Sequence, residues 1–247
     1  MRIILFILCF NFLLSGFSQK INTELIYLVK EPAKKTNNTP VIIMLHGYGS
    51  NESDLFDVSN ALDSRFIVFS LRAPYPINGG GFSWYDMQFL PDQKFTYNYQ
   101  QTKESRAKIL SFISKACLAH GVDSTQVFLM GYSQGGIMAY DIALAASKKI
   151  NGIMALSSYM LTETKLLKTD LLSLAKLKIF IAHGRYDNVI KITEAENATA
   201  FLKEKKVTNI VYSVYEMPHA LTGKELNDIK QWLVSAISPT KGAPTKK

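Results

Sequence analysis

Val127-Phe128-Leu129-Met130-Gly131-Tyr132-Ser133-Gln134-Gly135-Gly136-Ile137-Met138-Ala139-Tyr140 reads as a buried strand, a tight glycine-flanked turn and the start of a helix. A G-x-S-x-G segment needs that setting, because a serine on so sharp a turn sits in strained backbone and only small neighbours let strand and helix approach. Gly131 and Gly135 supply the room, and Gly136 adds more. The serine then projects from the carboxyl end of a sheet, above a helix N-terminus that favours developing negative charge. In a chain with fourteen glycines the spacing alone would be weak, and the flanking strand and helix are what give it weight.

On both sides of this segment short apolar runs alternate with longer amphipathic ones, the pattern of strands joined by crossover helices. The strand candidates are 24–29, 41–45, 66–70, 127–130, 152–156, 178–182 and 210–215. Most are unbroken Val/Ile/Leu/Phe runs, as expected when helices cover both faces of a parallel sheet. Helices are expected over 52–62, 102–120, 134–147, 192–206 and 223–238. The fold class is therefore α/β, with a mostly parallel sheet of about seven strands. The stretch 72–99 has no clean period, and a long irregular connection in a compact domain is usually functional. Its Phe82, Trp84, Tyr85 and Phe89 are candidate pocket walls. The short link from Leu156 to Leu177 leaves no room for a large cap domain.

Length and composition agree with one catalytic domain, over 19–238. The 247 residues are 47% hydrophobic and 19% charged, enough for one large core. The net charge of +8 is interleaved, and no basic block carries stacked aromatics, so nucleic-acid binding is not indicated. Residues 1–18 read as a signal peptide: Arg2, the apolar run Ile3 to Leu14, then Gly16 and Ser18 at the small-residue positions of a cleavage site. That run falls short of the roughly 20 apolar residues of a spanning helix. Export to the periplasm or beyond is expected, with an uncleaved N-terminal anchor as the alternative and no transmembrane segment after cleavage. Residues 239–247 form a basic, proline-containing tail. Of the two cysteines only Cys117 lies outside the leader, on a helix-period stretch where it reads as a small buried hydrophobe.

A serine hydroxyl needs a base to take its proton and an acid to orient that base. In strand–turn–helix hydrolases the chain order is nucleophile, acid, histidine, which leaves His183 and His219 of the four histidines. His219 follows the last strand candidate and precedes the final helix, so it is preferred, and His183 reads as a structural loop residue. Asp187, just beyond the strand 178–182, is the preferred acid over Glu216. An oxyanion site needs two backbone N–H donors, each worth roughly 3 kcal/mol of barrier. Gln134 supplies one, and Tyr48, in Leu45-His46-Gly47-Tyr48-Gly49, is assigned the other.

With these residues in place, the chain from about 40 to 233 resembles the phospholipase/carboxylesterase family of α/β-hydrolases. The resemblance rests on Leu45-His46-Gly47-Tyr48-Gly49, Arg72-Ala73-Pro74, Gly81-Phe82-Ser83-Trp84-Tyr85-Asp86, Gly131-Tyr132-Ser133-Gln134-Gly135-Gly136, His183-Gly184-Arg185-Tyr186-Asp187 and His219. It implies Ser133, Asp187 and His219 as a triad, Tyr48 and Gln134 as oxyanion donors, and Trp84 near the acyl pocket. Phe82 and His46 join Trp84 as candidate substrate contacts. Departures are proline in Met217-Pro218-His219, where many members carry glycine before the histidine, and Asn188-Val189-Ile190 after the acid. The expected activity is a serine carboxylesterase acting through an acyl-enzyme on short-chain, exposed or lipid-like small-molecule esters, without metal or organic cofactor. A polysaccharide acetyl or feruloyl esterase, and a non-catalytic binding protein on the same fold, are the alternatives.

Overall fold

The computed structural model describes residues 21–89 and 95–237; the expected leader at 1–18 and tail at 239–247 lie outside the described residues. In chain order the strands are β1 Tyr27–Lys30, β2 Val41–Leu45, β3 Ile67–Leu71, β4 Tyr75–Pro76, β5 Phe82–Ser83, β6 Met87–Phe89, β7 Phe95–Tyr97, β8 Val127–Tyr132, β9 Gly152–Leu156, β10 Lys178–Gly184 and β11 Ile210–Tyr215. Helices α1 Tyr99–His120, α2 Gln134–Ala146, α3 Thr162–Lys165, α4 Leu171–Leu174, α5 Ile192–Glu204 and α6 Gly223–Ile237 complete the framework. Seven strands form one sheet in the order β1-β3-β2-β8-β9-β10-β11. All its pairs are parallel except β1 against β3. The sequence reading of an α/β-hydrolase sheet without a large cap matches this architecture.

Alternation along each strand divides the core in two. Val41, Ile43 and Leu45 pack with Phe112 of α1, Ile137 of α2 and Ala198 of α5. Ile42 and Met44 face the other way, toward Leu55, Leu62 and Ile229 and Leu233 of α6. Because both faces are apolar, the period of two that governs a strand is hidden in the sequence. Each layer removes large side chains from water at about 25 cal/mol per Å² of apolar surface, which fixes the strand register.

Four expectations change. The helix expected over 52–62 is a run of turns followed by a short 3₁₀ segment, Phe56–Ala61. Its start is diverted by side chains: Asn51 Oδ1 accepts from Ser53 N at 2.8 Å, and Glu52 is drawn to Arg72. Such local bonds compete with helix formation. The first strand begins at Tyr27 rather than residue 24, since Thr23 Oγ1 accepts from Leu25 N in a preceding turn. Helix α1 starts at Tyr99, because Asn98 caps it by accepting from Gln101 N at 3.2 Å. The irregular 72–99 stretch contains two short antiparallel strand pairs, β4 with β5 and β6 with β7.

Candidate active site

The groups singled out by sequence collect at the carboxyl end of the sheet, where crossover topology leaves strand ends and helix N-termini facing one space. Ser133 follows β8 with φ 53° and ψ −119°. That positive-φ conformation is unfavourable for a residue with a Cβ, and it persists only where the surroundings over-determine it. They do so here by close backbone approach. A Cβ on Gly135 would lie 1.9 Å from the Leu45 carbonyl oxygen, and one on Gly131 would lie 2.1 Å from that of Gly135. Strand β2, strand β8 and helix α2 therefore meet at van der Waals contact, and the serine is pushed out of the turn.

His219 reaches Ser133 from the loop after β11. Its Nε2 is 3.0 Å from Ser133 Oγ, and its Nδ1 is 2.7 Å from Asp187 Oδ2. The Asp187 carboxylate is buried, and its other oxygen accepts from the N–H groups of Val189 and Ile190 at 2.9 and 2.8 Å. Those bonds aim Oδ2 at the imidazole. An Nδ1–H donated to Asp187 leaves Nε2 as the acceptor facing the serine hydroxyl, the tautomer that proton abstraction requires. Tyr132 lies against the His219 ring, with centroids 5.1 Å apart.

His183, the alternative base, is fully buried, with Nε2 2.8 Å from the Ile190 carbonyl and 3.3 Å from Asp187 Oδ2. It braces the acid's loop from behind. Glu216, the alternative acid, forms an exposed pair with Arg185 at 2.6 Å. Cys117 is buried, and burial pushes its thiol up to about 11.

The two backbone donors assigned from sequence flank the serine. Gln134 opens α2, so its N–H has no intrahelical acceptor. Tyr48 follows Gly47, whose position is within contact of Ser133, since a Cβ there would lie 3.4 Å from the serine Cβ. A cavity of about 380 Å³ opens beside these groups, lined by Tyr48, Asp54, Leu55, Tyr132, Ser133 and His219 among others. A larger one, about 600 Å³, lies at the amino end of the sheet among Lys148, Lys176 and Lys178, far along the strands from Ser133. Of these two cavities only the smaller holds the serine and the histidine singled out by sequence.

Three expected substrate contacts fall elsewhere. His46 is fully buried: its Nε2 accepts from Ala73 N at 3.0 Å, which leaves Nδ1–H to donate to the Gly47 carbonyl at 2.7 Å. Burial lowers its pKa and holds the ring neutral, so it fixes the turn bearing Tyr48. Trp84 is also fully buried, its indole N–H donating to the His46 carbonyl at 2.9 Å. Phe82 lies under the Arg72 guanidinium, 4.7 Å from it, and does not line the cavity beside Ser133. All three support the wall from behind. The Gln134 side chain, which the sequence reading left without a role, clamps this layer by accepting from Trp84 N and donating to the Tyr85 carbonyl, both at 2.8 Å. A long amide at the first turn of the helix was the signal for it. No group of potential metal ligands occurs among the described residues.

Residues 27–237 match the model of the Phospholipase/Carboxylesterase family. The chain belongs to that family. It is 26% identical over 231 residues to "Acyl-protein thioesterase 1" of Mycosarcoma maydis, covering 85% of this chain and 96% of that protein. In three dimensions it is similar to a carboxylesterase of Bacillus cereus, with a TM-score of 0.74 at 22% identity over 87% of this chain and 96% of the other. An acyl-protein thioesterase 2 of Zea mays superposes with a TM-score of 0.72 at 18% identity, over 86% and 99%. Family membership makes the protein a hydrolase of esterase type, and the solved structures add the fold.

Proposed function

We propose that the protein is a serine hydrolase of carboxylic esters, with Ser133 as nucleophile, His219 as general base and Asp187 as its orienting acid. The observation that carries this reading is the unbroken series Asp187 Oδ2, His219, Ser133 Oγ, with steps of 2.7 and 3.0 Å. In the first half-reaction His219 Nε2 takes the hydroxyl proton as Ser133 Oγ bonds to the ester carbonyl carbon. The oxyanion that forms faces the N–H groups of Tyr48 and Gln134, each worth roughly 3 kcal/mol. His219 passes the proton to the departing alcohol, and water, activated by the same imidazole, releases the acid from the acyl-enzyme. Asp187 stays ionised and stabilises the imidazolium.

Short-chain or exposed esters fit this site best. The connection from Leu156 to Lys178 consists of loops and the one-turn helices α3 and α4, so no cap stands over Ser133 among the described residues. The apolar segment 3–14 supports an exported enzyme, for which small extracellular or periplasmic esters are the accessible substrates. The test is hydrolysis of the p-nitrophenyl esters of acetate, butyrate, octanoate and palmitate. The expected kcat/KM is highest for acetate or butyrate, and a maximum at palmitate would replace short esters by long-chain lipids.

A further inference from the structure

The catalytic assignment leaves one charged group on the cavity wall unused. Asp54 lines the same space as Ser133 and His219 and is exposed to it. Its carboxylate accepts from Ser50 Oγ, and among the described residues no lysine or arginine pairs with it. Arg72, whose charge His46 feels together with that of Asp54, is held by both oxygens of Glu52. In a chain with a net charge of +8, this wall therefore presents an uncompensated negative charge. Around it stand two phenol rings, Tyr48 and Tyr132, and two aliphatic side chains, Leu55 and Leu221.

Carboxylate, aromatic faces and aliphatic groups together make a receptor for an alkylammonium ion: the charge meets Asp54, the ring quadrupoles attract it, and the leucines cover its methyl or methylene groups. A phosphate or carboxylate in this space would instead meet like charge. The position relative to the base decides which half of the ester goes there. His219 must hand its proton to the leaving oxygen, so the leaving group extends along the wall that His219 and Tyr132 share.

We propose that the wall formed by Asp54, Tyr48 and Tyr132 is the leaving-group site and selects esters of amino alcohols, whose alcohol carries an ammonium or quaternary ammonium group. This rests on the assignment of Ser133 and His219 made above. The reaction is unchanged in its balance. Ser133 Oγ bonds to the acyl carbon, the bond from that carbon to the amino-alcohol oxygen breaks, and the serine proton leaves on that oxygen through His219. Water then cleaves the acyl-enzyme.

Two esters that share an acyl group test it: butyrylcholine, and 3,3-dimethylbutyl butyrate, in which carbon replaces the quaternary nitrogen. The expected kcat/KM favours the cationic ester about tenfold at low salt, and the advantage shrinks as ionic strength rises. In Asp54→Asn the ratio falls to near one. In Asp57→Asn, which removes an equal charge outside the cavity, it persists. A wild-type ratio of one or below, a ratio that survives in Asp54→Asn, or a preference for glyceryl butyrate over both esters overturns the proposal. Labelling of Ser133 by a fluorophosphonate separates the two levels: equal turnover by a protein that labels removes the leaving-group assignment alone, whereas failure to label and to hydrolyse either ester removes the assignment of Ser133 and this inference with it.

Discussion

The turn that carries Ser133 and the loop that carries His219 meet across one 3.0 Å contact, yet they are held in place by different physics. The turn is fixed by exclusion. Backbone of β2, β8 and α2 approaches so closely that no side chain fits at Gly131 or Gly135, and the positive φ of Ser133 follows. The histidine loop is fixed by attachment to a second loop. Tyr186 N donates to the Met217 carbonyl at 3.1 Å, Arg185 N to that of Tyr215 at 2.8 Å, and Asp187 receives the imidazole itself. Pro218 stiffens the approach by fixing its own φ. Exclusion leaves no compliant degree of freedom, whereas a hydrogen-bonded loop can shift by a fraction of an ångström and keep most of its bonds.

The sharpest way to break this contrast is to add one methyl group to each region. Gly135→Ala drives a Cβ into the Leu45 carbonyl, and the expected cost is at least about 4 kcal/mol, read as a collapse of the denaturation midpoint with loss of ester hydrolysis. Gly184→Ala places its Cβ 2.4 Å from the Met217 carbonyl and 2.5 Å from that of Pro218, so it presses on the histidine loop. The protein should still fold, while kcat drops about 100-fold, the penalty for misplacing a catalytic group by roughly an ångström. Equal losses of stability in the two variants would erase the distinction.

A gentler probe lies beneath the histidine loop. Glu225 is fully buried in the first turn of α6, where its N–H donates to Thr222 Oγ1 at 3.3 Å. Both oxygens of its carboxyl are buried without a hydrogen-bond partner among the described residues, and burial pushes its pKa up from an ordinary 4.5 to about 7. The folded protein therefore keeps this proton over a range in which the unfolded chain has released it. Stability contributed by the neutral form is present below about pH 4.5 and is lost as pH rises through about 7. Glu225→Gln should match the wild type in thermal unfolding near pH 4 and exceed it by about 3 kcal/mol at pH 8. A pH-independent difference would place the cause in packing instead of charge.

The same contrast explains how much of the molecule could be read from its residues. Ser133 was legible because its constraints are local: strand, glycines and helix adjoin it in sequence. Asp187 and His219 followed from chain order and from their places after β10 and β11, since strand ends at one edge of a parallel sheet converge. Trp84, Phe82 and His46 were misplaced for the opposite reason. Whether an aromatic beside a site faces substrate or supports the wall depends on partners such as Trp84 Nε1 and the His46 carbonyl, 38 residues apart. The segment 52–62 misled because its apolar spacing suits a helix, while the pairing of Glu52 with Arg72, 20 residues away, pulls its first turn open. Asp54 escaped notice within that misread segment.

Intact-protein mass spectrometry after exposure to a fluorophosphonate tests Ser133 as the activated nucleophile. One adduct is expected on the folded protein, mapped to Ser133 and absent from both Ser133→Ala and the denatured chain. No adduct on the folded wild type, or an adduct that persists in Ser133→Ala, would contradict it.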